Sequence, residues 1–144
     1  MYNYNFLNGE WYRQQNNDLY RNVNTSSLFT PDDGYNKGNL FSNLYSQYKN
    51  YKPEVLRANN EREQLLLELS RMAFAAHEIN LYLDLNPDDV SMITLFNDYR
   101  KKANELRTQY ESKYGPLNLA SDSLDQTPFM WEKNTWPWEA RFNV

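Results

Sequence analysis

The sequence predicts an all-α fold: an antiparallel hairpin of two helices over about residues 59–85 and 87–114, with a short helix before it and extended, aromatic-rich arms at both ends. Three observations predict this fold. Apolar residues recur at three- and four-residue spacing along both stretches, a short turn signal separates the stretches, and the flanking segments are polar without a regular period. With 144 residues, of which 40% are hydrophobic, the chain is long enough for one domain with a modest core.

Residues 1–57 divide into an arm and a segment with helical signals. Residues 1–29 are rich in Asn and carry aromatic residues at irregular intervals, which is typical of a flexible arm; the alternative is an arm that becomes ordered when its aromatic side chains bind a partner. In residues 30–57, Thr30 and Pro31 have the chemistry of a helix start. Three- and four-residue spacing then predicts a short amphipathic helix within residues 39–48, through Leu40, Phe41, Leu44, Tyr45 and Tyr48.

Residues 58–115 contain the predicted hairpin. One set of apolar residues runs along each helix, and in both sets the spacing alternates between four and three. Because a short loop joins antiparallel helices, residues at the same distance from the turn face each other. Ten of these residues form five such pairs, in which both alanines fall opposite larger residues. These seam residues are Leu65, Leu69, Met72, Ala76, Ile79 and Leu83 in the first helix and Met92, Phe96, Tyr99, Ala103, Leu106 and Tyr110 in the second.

The turn and the helix ends have their own signals. Asn86 can cap the second helix, and Pro87 suits its first position. The acidic pair that follows complements the positive end of the helix dipole. A glycine after the second helix, followed by a proline that cannot continue it, marks its end. The residues assigned to these roles are Asn86, Pro87, Asp88, Asp89, Gly115 and Pro116.

The first helix of the hairpin has a second apolar face. Leu67, Phe74 and Leu81 are spaced by seven and lie away from the seam, and Tyr82 flanks them. A helix that is apolar on two sides has to be covered on both. Four covers are open: the short helix at 39–48, the C-terminal tail, a second copy of the chain, or another protein.

Residues 116–144 form a tail that carries three of the four tryptophans. Trp131, Trp136 and Trp138 lie within eight residues, and Pro137 separates the last two. The tail lacks a helical period, and its prolines favour extended backbone. We prefer packing of the tryptophans on the second face or against another protein, because Trp is enriched in protein interfaces. A sugar-binding or membrane-interface strip is the alternative.

Composition and charge argue against several classes of function. A net charge of −4 and a pI of about 5.0 argue against nucleic acid and anionic membranes as partners, because both are bound by basic surfaces. The chain has no cysteine, so disulfides, thiolate catalysis and cysteine metal sites are excluded. No apolar run is long enough to span a membrane, and the first residues lack the features of a signal peptide, so we expect no secretion by that route.

The sequence has no catalytic or metal-binding pattern. His77 is the single histidine, and its neighbour Glu78 would point about 100° away from it on a helix. We expect His77 to be a polar residue beside the seam rather than a general base or a metal ligand. Asp88 and Asp89 are better explained as helix-start residues than as an acidic catalytic pair. We therefore expect no catalytic, metal or cofactor-binding residue, no cofactor, and a protein that is not an enzyme.

Several motifs, in order along the chain, resemble the CotJB family of bacterial spore coat proteins. They are LYLDLNPDD at 81–89, LFNDY at 95–99, YESKYGPL at 110–117, and the closing tryptophans with WPWE. The resemblance covers roughly residues 62–140. Leu85 and Asn86 stand where the family pattern has Thr and His. The resemblance implies a spore coat component that is made in the mother-cell cytoplasm and assembled without secretion.

A shorter resemblance precedes it. FTPDDGYNKGNLFSNLYSQYKNY, at residues 29–51, resembles the companion CotJA family. Together the two resemblances imply a chain that joins two proteins that are usually separate and encoded together. The third member of that set resembles manganese catalases, so the resemblance also implies a manganese-catalase-like coat protein as a partner.

Two main functions are open at this point. The first is a structural component of the spore coat that assembles, as a homo- or hetero-oligomer, through contacts with other coat proteins. The second is an adaptor that docks the manganese-catalase-like coat enzyme with its tryptophan tail. An enzyme in its own right is a third reading, which bound manganese or iron would support.

Overall fold

The computed structural model of the protein describes residues 27–43 and 50–133. These residues contain three α-helices and no β-strand: α1 (Pro31–Lys37), α2 (Glu61–Leu85) and α3 (Val90–Tyr114). Two short 3-10 turns follow at Asp122–Asp125 and Met130–Lys133. The all-α prediction is confirmed for this part of the chain. Residues 1–26 of the predicted arm at 1–29 and residues 134–144 of the tail lie outside the described residues.

The two long helices form the predicted hairpin. Each has 25 residues and is therefore about 37 Å long. α2 begins after Asn60, whose side chain accepts a hydrogen bond from the Glu63 N–H at 2.8 Å, while the Glu63 carboxylate accepts one from the Asn60 side chain. The first of these bonds satisfies a backbone N–H that has no partner within the helix, and the second holds the capping side chain in place. At the open end of the hairpin, Lys113 pairs with Glu61.

The seam between α2 and α3 is closed by apolar residues. One cluster lies near the turn around the fully buried Ile79 and Met92, and a second lies toward the open end around Leu69, Ala103 and Leu106. Seven of the twelve seam residues are buried: Leu69, Ala76, Ile79, Met92, Ala103, Leu106 and Tyr110. The other five are partly buried: Leu65, Met72, Leu83, Phe96 and Tyr99.

The prediction for the turn was wrong about where the second helix begins. α3 begins at Val90 rather than at 87, and its N-cap is Asp89, whose carboxylate accepts a hydrogen bond from Met92 N at 3.1 Å. Asn86 ends α2 instead, because its backbone N–H and its Nδ2 both donate to Tyr82 O. With Asn86 held at the end of α2, the N-cap of α3 is Asp89, three residues further along the chain. Pro87 and Asp88 are exposed in the turn between them.

Gly115 lets the chain leave α3 abruptly. Its φ is 102°, a conformation that residues with a side chain rarely adopt, while its N–H still donates to Glu111 O at 3.1 Å. Pro116 follows, and both residues are buried. Glu111 also accepts a hydrogen bond from Leu117 N, so α3 holds the first residues of the tail.

α1 lies before the segment predicted as a short helix, residues 39–48, and starts at the predicted helix-start signal of Thr30 and Pro31. α1 begins after Thr30, whose hydroxyl accepts a hydrogen bond from Asp33 N, and ends at Gly38, where φ is 71°. Leu40 and Phe41 are not helical, and the other three residues of the predicted helix, Leu44, Tyr45 and Tyr48, lie outside the described residues. The reason is that the chain closes on itself: Phe29 N donates to Leu40 O at 2.8 Å, and a bridge joins Leu28 to Phe41.

We predict that Gly34→Ala lowers the free energy of unfolding by about 1–2 kcal/mol, because overpacking a filled site costs about 1–3 kcal/mol. A Cβ at Gly34 would lie 2.9 Å from Leu40 Cδ1 and 3.2 Å from Leu40 Cα, and Leu40 is fully buried. Chemical denaturation followed by circular dichroism measures the effect. The control is Ser112→Ala on the exposed side of α3. At an open helical site glycine to alanine stabilises by about 1 kcal/mol, so a gain in stability would contradict the close packing described here.

Candidate interaction surface

Residues 27–43, which we call the N-terminal turn, cover part of the second face of α2. Leu40 and Phe41 are 0% and 3% exposed and pack with Ala75 and Tyr82 in the cluster near the hairpin turn. The rings of Phe41 and Tyr82 stack with centroids 5.8 Å apart. The chain therefore supplies one of the four covers itself, from residues within the segment that was predicted as a helix.

Polar and aromatic contacts fix the N-terminal turn on α2. Arg71 Nη1 lies 3.2 Å from Asp32 Oδ2, and Glu78 Oε2 accepts a hydrogen bond from Leu40 N at 3.3 Å. Between these two residues on α2, the rings of Phe74 and Tyr35 pack edge to face, with centroids 5.7 Å apart. Sequence analysis missed the roles of Arg71 and Glu78; two opposite charges seven residues apart on an apolar face were the available signal. We call the five residues that receive the turn the α2 groove: Arg71, Phe74, Ala75, Glu78 and Tyr82.

The cover is incomplete. Leu67 and Phe74 are half-buried, but Leu81 is 49% exposed, and Leu66 beside this face is 38% exposed. Val90, just beyond the turn, is exposed as well. Tyr82 was grouped with the candidate interface residues, yet it is 5% exposed and belongs to the core, because Phe41 lies over its ring. The apolar surface left on the hairpin is therefore smaller than the sequence pattern indicated.

The tail presents a second exposed apolar surface. Trp131 is 39% exposed in the last 3-10 turn, and Leu119 and Phe129 are exposed before it. Trp136, Pro137 and Trp138 lie outside the described residues. Packing of the tryptophans on the second face therefore stays a prediction.

Tyr82 also connects the turn of the hairpin to α3. Its hydroxyl donates to Asp89 Oδ2 at 3.0 Å, and the other oxygen of Asp89 accepts from Ser91 Oγ and Met92 N. Burial and the neighbouring Asp89 carboxylate raise the pKa of Tyr82 to about 12. The hydrogen bond from Ser91, followed by those from Met92 and Tyr82, holds the pKa of Asp89 below its ordinary value of 3.8.

Three further properties of the described residues bear on what this part of the chain can bind. Within residues 27–43 and 50–133, no group of three His, Asp or Glu side chains is placed to hold a metal ion. His77 is exposed on α2. None of the helices in this part of the chain is both long enough and apolar enough to cross a membrane. The features that stand out are apolar surfaces on α2 and on the tail.

The sequence model of one protein family, described as CotJB protein, matches residues 63–139. The chain belongs to the CotJB family. The match agrees with the extent predicted from the motifs and includes nearly all of α2, the turn, α3 and most of the tail. Membership of the CotJB family relates the chain to the bacterial spore coat. No curated protein and no protein of solved structure matches the chain.

The N-terminal turn lies before the residues that match the CotJB family. Its resemblance to CotJA, over residues 29–51, therefore stays a prediction. The α2 groove, in contrast, lies inside the match. The chain thus covers a surface of its CotJB part with residues that the family match does not include.

We predict that two substitutions of Asp89 distinguish the stability due to its capping hydrogen bond from the stability due to its charge. Asp89→Ala lowers the free energy of unfolding by about 1 kcal/mol at pH 7, the usual cost of losing an N-cap. Asp89→Asn keeps an oxygen that can accept from Met92 N and costs less. Denaturation curves measure both, with the exposed Asp88→Ala as control.

The same variants have different acid profiles. Because the pKa of Asp89 is lower in the folded chain, its stabilisation is complete above about pH 4 and decreases as pH falls from there toward the folded pKa. Asp89→Asn is expected to lose less stability than the wild type between pH 4 and pH 2. Parallel acid profiles for the two proteins would contradict this role.

Proposed function

We propose that the chain is a non-enzymatic structural component of the spore coat that assembles through protein–protein contacts. The observation that carries the proposal is the apolar surface that remains after the N-terminal turn has covered part of α2, above all Leu81. Its placement on a hairpin that belongs to the CotJB family supports the same proposal.

The size of the exposed surface favours many weak contacts over one tight complex. Fully burying a leucine side chain is worth about 1.5–3 kcal/mol. Leu66 and Leu81 are already more than half covered, so each gains about 1 kcal/mol when a neighbour covers the rest. Such contacts hold a protein in place only where several act at once, as in an array of many chains.

The distribution of charge favours the α2 side as the contact surface. The outward side of α3 is exposed and polar, with acidic, basic and hydroxyl residues mixed along it: Thr94, Asp98, Lys101, Glu105 and Thr108. Desolvating such a surface costs free energy without burying apolar area. A coat neighbour therefore gains more by contacting α2 and the tail.

We expect Leu66→Glu combined with Leu81→Glu to leave a helical chain that is poorly retained in the coat. Losing about 2 kcal/mol of contact weakens association about 30-fold. Immunoblots of coat extracts from spores measure retention, and circular dichroism checks the fold. Thr94→Glu with Thr108→Glu on α3 adds the same charge and is the matched control. Equal retention of both double variants would refute assembly through α2.

An adaptor function is the second candidate, and the exposed Phe129 and Trp131 favour it. In this proposal the tail binds the manganese-catalase-like coat protein that the family resemblance implies. Trp is enriched among the few interface residues whose truncation costs 2 kcal/mol or more.

Removing residues 128–144 tests the adaptor function. We expect the truncated chain to co-purify with the catalase-like protein at least tenfold less than the full chain when the two are co-expressed. The Leu66→Glu and Leu81→Glu variant is the control, because it keeps the tail. Undiminished co-purification of the truncated chain would exclude binding through the tail.

A further inference from the structure

The N-terminal turn holds its own shape. Phe29 N donates to Leu40 O and Ser42 N donates to Ser27 O, each at 2.8 Å. The Asn39 side chain both accepts from Phe41 N and donates to Phe41 O. These hydrogen bonds begin and end within residues 27–43, so they do not depend on contact with α2. A ligand that keeps its bound shape loses little entropy when it docks.

The contacts between the N-terminal turn and the α2 groove are those of a ligand in a site. Leu40 and Phe41 insert into the apolar centre of the groove. On one side of them Asp32 pairs with Arg71, and on the other the backbone N–H of Leu40 donates to Glu78. The groove therefore recognises two adjacent apolar side chains, an acidic group and a free N–H, all presented on one face.

The chain between the N-terminal turn and α2 is long. Residues 44–60 connect the turn to Glu61, and these 17 residues span up to about 56 Å when extended. This exceeds the length of α2, about 37 Å. The described part of this connection, residues 50–60, contains no helix or strand, and Val55 and Leu56 in it are exposed. Leu56 N donates to Asn36 Oδ1 at 3.4 Å, an exposed contact. Once this hydrogen bond is released, the connection is long enough to reach the groove of an adjacent chain as well as its own.

We propose that the N-terminal turn is an exchangeable docking element: it fits the α2 groove of a second copy of this chain, so that two chains pair by exchanging residues 27–43. A second copy is the occupant because it carries the same two apolar side chains and the acid that complements Arg71. Reciprocal exchange gives a closed pair with twofold symmetry.

Concentration decides between the two arrangements. A connection of 17 residues holds a ligand near its own site at a concentration on the order of 1 mM. Docking within one chain therefore prevails in dilute solution, and exchange prevails where chains are packed at higher density. The use of exchange in a coat rests on the proposed function, whereas exchange itself is a property of the chain.

Two full-length variants, each defective in one half of the contact, test the exchange. The first, Leu40→Ser with Phe41→Ser, keeps the groove and loses the docking residues. The second, Arg71→Asp with Phe74→Ser, keeps the N-terminal turn and loses the groove. Each alone is expected to be a monomer in analytical ultracentrifugation, and an equimolar mixture is expected to form a 1:1 pair through the one intact contact. The control mixture combines the second variant with Val55→Ser and Leu56→Ser in one chain. No pair is expected there, because the groove of that chain is occupied by its own N-terminal turn.

A mixture that stays monomeric while the first variant is helical would overturn the proposal. If the first variant is not helical alone, the second variant must restore its helicity on mixing, and failure to do so overturns the proposal as well.

Charge reversal gives an independent readout. Asp32→Arg and Arg71→Asp each place like charges together within one chain, so the two variants are expected to pair several-fold more tightly with each other than with themselves. Failure to pair, together with loss of coat retention in the Leu66→Glu and Leu81→Glu variant, would remove the exchange and leave the proposed function intact.

Discussion

The ring of Tyr82 stacks on Phe41, and its hydroxyl donates to the carboxylate that caps α3. One side chain thereby ties the N-terminal turn to α2 and the end of α2 to the beginning of α3. The underlying constraint is that α2 carries apolar residues on two sides and has to be covered on both. α3 covers the seam, and the N-terminal turn covers part of the second face. The two covers meet at Tyr82, so the position of each influences the other.

Local spacing was sufficient to predict the long helices and insufficient to predict the cover. The four-three spacing around Ile79 and Met92 repeats over six residues in each helix, so both helices could be read directly from the sequence. Leu40 and Phe41 begin a similar spacing, but Gly38 ends α1 and the chain then folds back on itself. Their burial depends largely on residues of α2 that are 34 or more positions away, and no local pattern records that distance.

The prediction of the residue that caps α3 was wrong for a related reason. Asn86 and Asp89 are both good N-caps, and the sequence between the helices does not say which of them starts α3. The choice is made by the end of α2, where Asn86 donates twice to Tyr82 O. For the candidate surface, the sequence indicated the correct helix and the correct side of it. It overstated the exposed area, because it could not show that the N-terminal turn occupies the centre of that side.

The order in which the residues are synthesised gives the N-terminal turn a further property. The turn is complete at residue 43, whereas its groove needs Tyr82 and the cap at Asp89 that holds Tyr82 in place. At a synthesis rate of about 5–20 residues per second, the 46 residues from 44 to 89 take about 2–10 s. During that interval the nascent chain carries Leu40 and Phe41 without a groove of its own to receive them. The completed grooves within reach belong to chains that have already folded, so the time of translation is also a time of potential contact between old and new copies.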